Sequence, residues 1–291
     1  MIQIKVPATS ANIGPGFDTL GIALQLYATF TVEESESFKI TGCPPAYANE
    51  HNLFYKTYKH RALELNVTPK ILHIDIQSDI PVARGLGSSA TFILAGIVCA
   101  HLIHKIPYTL EEIAVAATKA EGHPDNVCPA LYGGLCASLI HNSKVTTEHF
   151  PIHKDLRFYF IVPDFELLTS LTRLALPEKI LLSDAIHNLS RLPLLLKSIE
   201  LGKQDQIDVC VQDTLHHPYR YPLIYQSESV LSILEDHGIK SAYISGAGPT
   251  IGIIMTKSID VGSIQAQLNG LRHAFKLIEL SVDETGLRIE V

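Results

Sequence analysis

One stretch limits what this chain can be more than any other: Pro81, Val82, Ala83, Arg84, Gly85, Leu86, Gly87, Ser88, Ser89, Ala90 and Thr91. Upstream, Leu72, Ile74 and Ile76 alternate with His73, Asp75 and Gln77, which predicts a strand over 71–80. Downstream, residues 90–105 are rich in Ala, Leu and Ile without a proline, which predicts a helix. A glycine loop between a strand and a helix suits an anion. Gly85 and Gly87 let the backbone take positive φ and approach a ligand closely. The first N–H groups of the helix lack internal partners, and the macrodipole adds partial positive charge, so phosphate is the natural occupant. Ser88 and Ser89 add hydroxyls for phosphate oxygen or a metal ion.

The stretch has other readings. It could simply join a strand to a helix capped by Ser88. Gly85-x-Gly87-x-x-Ala90 also fits a loose dinucleotide fingerprint, which needs an acidic residue about 20 positions on, ending the next strand. Glu111 and Glu112 instead open a predicted helix. A Walker loop is excluded because no Gly-Lys-Ser/Thr is present.

The 291 residues allow one large or two ordinary domains, and 46% apolar with 18% charged residues suits a full globular core. A net charge of −7 without any basic run argues against a nucleic-acid surface. The five cysteines form no C-x-x-C pair, which suggests reduced thiols and a cytoplasmic protein. No leader pattern is evident, and the longest apolar stretch, 90–103, is too short to span a bilayer, so no membrane partner is expected.

In chain order, residues 2–6 read as a strand and 7–18 as a loop dense in turn residues. Strands are predicted over 19–30 and 31–40, a loop over 43–51 and a helix over 52–65. Thr109-x-x-Glu112 is a capping box, and Leu110, Ile113, Ala114 and Ala117 give the helix after it one apolar face. Glu121-Gly122-His123-Pro124 ends that helix. A short helix over 125–132 leads to a hairpin of 135–141 and 145–150 through Asn142-Ser143. A strand over 158–162 follows, then a mainly helical region over 183–238, broken at Pro193, Gly202 and His217-Pro218. Strands at 241–244 and 251–255 flank a glycine loop over 245–248, and a helix over 264–271 precedes strands at 275–280 and 287–291. The change in pattern near 150–155 divides the chain into domains of 1–152 and 153–291.

Three glycine-containing boxes stand far apart: 7–18 (Pro-Ala-Thr-Ser-Ala-Asn-Ile-Gly-Pro-Gly-Phe-Asp), 81–91, and 245–250 (Ser-Gly-Ala-Gly-Pro-Thr). In order and spacing they resemble the three motifs of the GHMP kinase family. The first box is most similar to those members that phosphorylate the amino acid L-homoserine. Glu121-Gly-His-Pro-Asp-Asn-Val127 and His217-Pro-Tyr-Arg220 point the same way. The resemblance covers nearly the whole chain. It implies an α+β, two-domain GHMP kinase fold. The N-terminal domain would be like domain 2 of ribosomal protein S5 and the C-terminal domain ferredoxin-like. It further implies ATP over residues 81–91, Mg²⁺ on Ser89 and Glu121, and transfer of the γ-phosphate to give O-phospho-L-homoserine for threonine synthesis. It leaves a homodimer open.

Each implied role has a plain alternative. Asn12 and Asp18 would contact the substrate, Asp18 facing its ammonium, yet both residue types also form turns. Asn126 would orient the attacking hydroxyl and His123 would line the site, while Asp125 is equally suited to cap the next helix. Some family members pair an aspartate near here with a lysine of the first box; no lysine lies between Pro7 and Asp18, so transfer without a strong base is expected. A substrate carboxylate favours a guanidinium, and Arg173, in Thr169-x-x-x-Arg173, and Arg220 match the family's two arginines. Gly246 and Gly248 would pack near the phosphates. Glu121 also stands out physically. An acid in the last turn of a helix opposes the macrodipole, and a bound cation would account for it. A family member acting on another alcohol such as mevalonate, or a non-catalytic sensor, remains open.

Overall fold

The computed structural model describes residues 1–290; Val291, the end of the last predicted strand, lies outside them. The first part of the chain carries β1 (Ile2–Ala11), β2 (Leu20–Glu34), β3 (Lys39–Thr41), α1 (Leu53–Glu64), β4 (Leu72–Ser78), α2 (Ser88–His104), α3 (Leu110–Glu121), α4 (Val127–Tyr132), β5 (Leu135–His141) and β6 (Lys144–Phe150). Then come β7 (Arg157–Pro163), α5 (Thr169–Leu174), α6 (Leu182–Leu201), α7 (Gln204–Cys210), α8 (His217–Arg220), α9 (Ser227–Asp236), β8 (Ala242–Ile244), β9 (Ile251–Met255), α10 (Val261–Leu268), β10 (Phe275–Leu280) and β11 (Arg288–Glu290).

Two sheets result, an α+β architecture. The first runs β11-β1-β2-β4-β3, with β5 also pairing β2 and β6 completing a hairpin; the second is β10-β7-β9-β8. Helix α2 packs against β1 and β2, with α1 and α3 beside it. Phe30 of β2 stacks on Phe54 of α1 at 5.0 Å and meets Phe92 of α2 edge-on at 4.9 Å, tying the three elements together. Strand β7 is buried on both faces, which explains its unbroken apolar run. Phe158 and Phe160 join the core that includes the first sheet and α6–α7, while Tyr159 and Ile161 pack with α9 and α10. One apolar core is therefore shared by both sheets.

Several predicted elements end elsewhere. β1 runs through Pro7 to Ala11, so the first half of the first box is strand; a register shift at Pro7/Ala8 lets the proline sit where no ladder donor is needed. Residues 20–34 form one strand because Phe30 and Val32 keep alternating inward and no turn residue intervenes. α2 starts at Ser88, two residues early, with left-handed Gly87 at its cap position, so Ser88 does not cap it. α6 continues through Pro193, which lies on its exposed side where the orphaned Leu189 carbonyl meets water. The capping box at Thr109 and Glu112 is formed, and Asn142 and Ser143, at φ 50° and 60°, make the tight hairpin turn.

The end of the chain returns to the first sheet. β11 pairs antiparallel with β1, and Asp283 accepts from the Tyr27 hydroxyl (2.8 Å), the Gly286 N–H (2.7 Å) and Arg288. A division at residue 152 leaves this strand on the far side of the cut.

Candidate active site

The three boxes meet because the glycine loop is laid directly onto the other two. The Thr9 N–H donates to the Leu86 carbonyl (3.2 Å), and Ser245 Oγ donates to the Gly85 carbonyl (2.6 Å). At Gly87 (φ 71°) a Cβ would fall 1.9 Å from Thr9 Oγ1; at Gly85 (φ 78°) it would fall 2.4 Å from the Ser245 carbonyl. Only glycine fits both the conformation and the approach. The loop backbone thus stands at the N-terminus of α2, over a cavity of about 580 Å³.

Most of the predicted residues line that cavity: Asn12, Asp18, Pro81 to Gly85, Gly87, Ser88, Ser89, Glu121, His123, Asp125, Asn126, Thr169, Arg173, Arg220 and Gly246. Four do not. Leu86, Ala90 and Thr91 are buried in the core, where α2 packs on the sheet. Gly248 lies behind the loop, its carbonyl against Gly85. Arg84 lines the cavity, but its guanidinium donates to the carbonyls of Val82 (2.7 Å), Pro163 (3.1 Å) and Asp164 (2.7 Å), pinning the loop to the end of β7.

On one wall, Ser89 Oγ donates to Glu121 Oε2 (2.7 Å), joining the start of α2 to the end of α3. Burial pushes the Glu121 carboxyl above its usual range, despite that hydrogen bond. Beyond it, Thr9 Oγ1 donates to Asn126 Oδ1 (2.7 Å), and Asn126 Nδ2 donates to Asp125 Oδ1 (3.3 Å), which also pairs with His123 Nδ1. Asp125 caps nothing: Asn126 occupies the cap position of α4 and makes no side-chain cap bond. Burial opposes charge on His123, but the Asp125 carboxylate, with Glu121 and Asp18 nearby, outweighs it and holds the imidazole above its ordinary value.

Charge alternates beside these groups, where the Asp18 carboxylate lies within 4.8 Å of His123 and Asp125. Arg173 grips Asp18 with both terminal nitrogens (2.8 and 2.9 Å), so these two side chains neutralise each other here. Arg220 is almost wholly buried; its Nη1 donates to the Gly246 carbonyl (2.9 Å), and its Nε has no protein partner. Burial and nearby Arg173 pull its pKa down to about 10. Phe17 lies under both guanidiniums, at 5.6 Å from Arg173 and 5.1 Å from Arg220. Asn12 Nδ2 donates to the same Gly246 carbonyl (2.7 Å), and its Oδ1 accepts from the Asp18 N–H (3.0 Å). Asn12, Ile13 and Asp18 all have positive φ (70°, 42° and 53°), a conformation that is costly for β-branched Ile13.

The cavity is also lined by the apolar or aromatic side chains of Pro44, Tyr47, Leu53, Ile76 and Phe92. These residues were not predicted. Pro44 and Tyr47 sit in a stretch read only as a loop, and no motif marks them.

Two family models match the chain: the GHMP kinases N terminal domain over residues 52–134 and the GHMP kinases C terminal over 185–271. A homoserine kinase of Clostridium beijerinckii is 39% identical over 99% of this chain and 98% of its own length. That of Caldicellulosiruptor saccharolyticus is 38% identical over 99% and 96%. The crystal structure of homoserine kinase from Cytophaga hutchinsonii superposes with a TM-score of 0.84 at 24% identity, covering 99% of this chain and 97% of that one.

Proposed function

The chain belongs to the GHMP kinase family, and from that premise we infer that it is an ATP-dependent homoserine kinase, forming O-phospho-L-homoserine for threonine synthesis. The observation that carries the substrate is Arg220. A guanidinium that lines the cavity and gives only one of its nitrogens to a carbonyl suits a substrate carboxylate. Asp18, close to it and held bidentately by Arg173, keeps further lone pairs on both oxygens for the substrate ammonium. A zwitterion matches this row of charges, whereas mevalonate has no cation for Asp18.

ATP lies with its phosphates on the amides of Gly85 to Ser89 and its base toward Tyr47, Ile76 and Phe92. The Ser89 hydroxyl and Glu121 carboxylate are hard oxygen donors, and the half-buried carboxylate is bonded to the Ser89 hydroxyl, with His123 as the nearby cation. They would hold Mg²⁺, which would neutralise phosphate charge. The protein's part in transfer is then positioning. Asn126, fixed by Thr9, presents its amide to the homoserine hydroxyl, and His123 borders the substrate. Asp125 Oδ1 is taken by His123 and Asn126, so Asp125 holds these two side chains in place. In-line transfer proceeds by alignment and charge stabilisation.

ADP release measured with homoserine, threonine, serine, mevalonate and galactose as separate acceptors tests the assignment. Homoserine is expected to be used best; faster turnover of mevalonate or galactose would reduce the reading to a GHMP kinase of another substrate.

The same reading extends to assembly. α6 buries Asn188, Leu195 and Ile199 on one side and leaves Leu182, Ile186, Leu189 and Pro193 bare on the other, with Leu171 and Leu174 of α5 bare nearby in sequence. Monomers rarely expose apolar patches beyond ~300–600 Å², and a row of bare apolar side chains along one helix face is the kind of surface a partner covers. A second copy of the chain, packed helix to helix, is its occupant. Sedimentation at micromolar concentration should give a dimer of the 32.0 kDa chain. Ile186→Asp with Leu189→Asp should give a monomer; a parent chain that sediments as a monomer would rule the interface out.

A further inference from the structure

Behind Arg220 lies a buried histidine that the phosphoryl-transfer reading leaves without a task. His216 is fully buried. Its Nε2 lies 3.0 Å from the Gly14 carbonyl, and its Nδ1 lies 3.4 Å from Arg220 Nη1. A carbonyl can only accept, so Nε2 carries the proton; a guanidinium can only donate, so Nδ1 is bare. The partners therefore select one neutral tautomer. Burial and Arg220 favour the same neutral form, pushing the ring's pKa down to about 4 against the pull of Asp213. The backbone around it is held as firmly. Asp213 accepts from the N–H groups of His216 and His217 (2.7 Å each), and Asn188 of α6 donates to its other oxygen (2.6 Å). The His216 ring also lies against Phe17 (5.2 Å), the residue beside Asp18.

We propose that His216 is a positioning residue for the substrate's amino-acid end, setting the distance between Arg220 and the strained loop that carries Asn12 and Asp18. This rests on the homoserine reading. One ring bridges the group that meets the carboxylate and the loop that meets the ammonium. The loop needs such a brace because Asn12, Ile13 and Asp18 sit at positive φ, and Gly14, also at positive φ, has no room for a Cβ: it would lie 2.0 Å from the Val211 carbonyl.

His216→Phe keeps the ring and removes both hydrogen bonds. It should raise the homoserine KM about 5- to 20-fold, the effect of one or two hydrogen bonds, with the ATP KM within about twofold. His216→Gln, which can still donate to Gly14, should recover part of the loss. 4-Hydroxybutyrate lacks the ammonium and uses only the arginine end, so the Phe variant should penalise it less than homoserine. An unchanged homoserine KM in a folded variant would overturn the proposal. So would equal losses for homoserine and ATP that follow the melting temperature, since these mark a merely structural residue. Should His216→Phe not fold, a selective rise in homoserine KM for His216→Gln supports the proposal and its absence overturns it. A parent chain that releases no ADP with homoserine fails at the substrate assignment, before any variant is compared, and removes this inference with it.

Discussion

Glu121→Gln is expected to lower turnover about 100- to 1,000-fold, the scale seen when one group that stabilises transition-state charge is removed, and yet to melt no lower than the parent chain. The two effects have one cause. Glu121 is half-buried at the negative end of α3, bonded to a neutral hydroxyl, and burial raises its carboxyl above the usual range. A carboxyl raised on folding favours the protonated form. Its contribution to stability is full below the unfolded pKa, about 4.3, and is lost as pH rises through the folded value. Gln carries no charge to desolvate. In EDTA, the melting temperature of the variant should therefore match or exceed the parent's at pH 8, and the gap should close on acidification below the usual carboxylate range. Mg²⁺ with ATP should raise the melting temperature of the parent more than that of the variant. Near-normal turnover with a normal Mg²⁺ dependence in the variant would remove Glu121 from the metal site.

Arg220 separates stability from function in the same way. Loss of its charge-assisted hydrogen bond to a carboxylate costs about 2–3 kcal/mol. Arg220→Met should thus lower kcat/KM for homoserine roughly 30- to 150-fold with the ATP KM little changed. The fold should not suffer. Replacing a buried charge with an apolar side chain of similar volume is often neutral or stabilising. The Gly246 carbonyl keeps its bond from Asn12, and Arg220 already carries the strain of burial beside Arg173. Arg220→Lys should restore only part of the activity, because an ammonium cannot present the planar fork. Unchanged homoserine kinetics in Arg220→Met would place the guanidinium outside the substrate site.

The parts of the site legible in sequence were those in which local chemistry and long-range packing make the same demand. Gly85 and Gly87 are glycines both for their φ and for the closeness of Thr9 and Ser245, so the motif and the fold coincide there. Thr109 and Glu112 cap α3 through contacts three residues apart, which sequence spacing states outright. What stayed hidden was the choice of partner across the chain. Nothing local says that Arg173 closes on Asp18, that Arg84 spends its donors on carbonyls of β7 and the residue after it, or that His216 stands behind Arg220. Leu86, Ala90 and Thr91 sit in the phosphate motif but face the core, because a helix that begins at a ligand must still pack its other side. Pro193 read as a break, since its exposure on α6 is a tertiary fact.

The pairing of β1 with β11 makes the second sheet, topologically, an insertion within the first. The polypeptide closes on itself, its opening strand waiting for a partner almost the full contour length away. A contact between residues so far apart in the chain closes a long loop, which costs entropy and slows folding. Until it forms, β1 presents a bare ladder of amides and carbonyls, an invitation to the wrong neighbour. Severing the chain between the sheets yields two fragments that are each incomplete, whereas joining its ends and reopening it at an outer loop would keep every strand beside its proper mate.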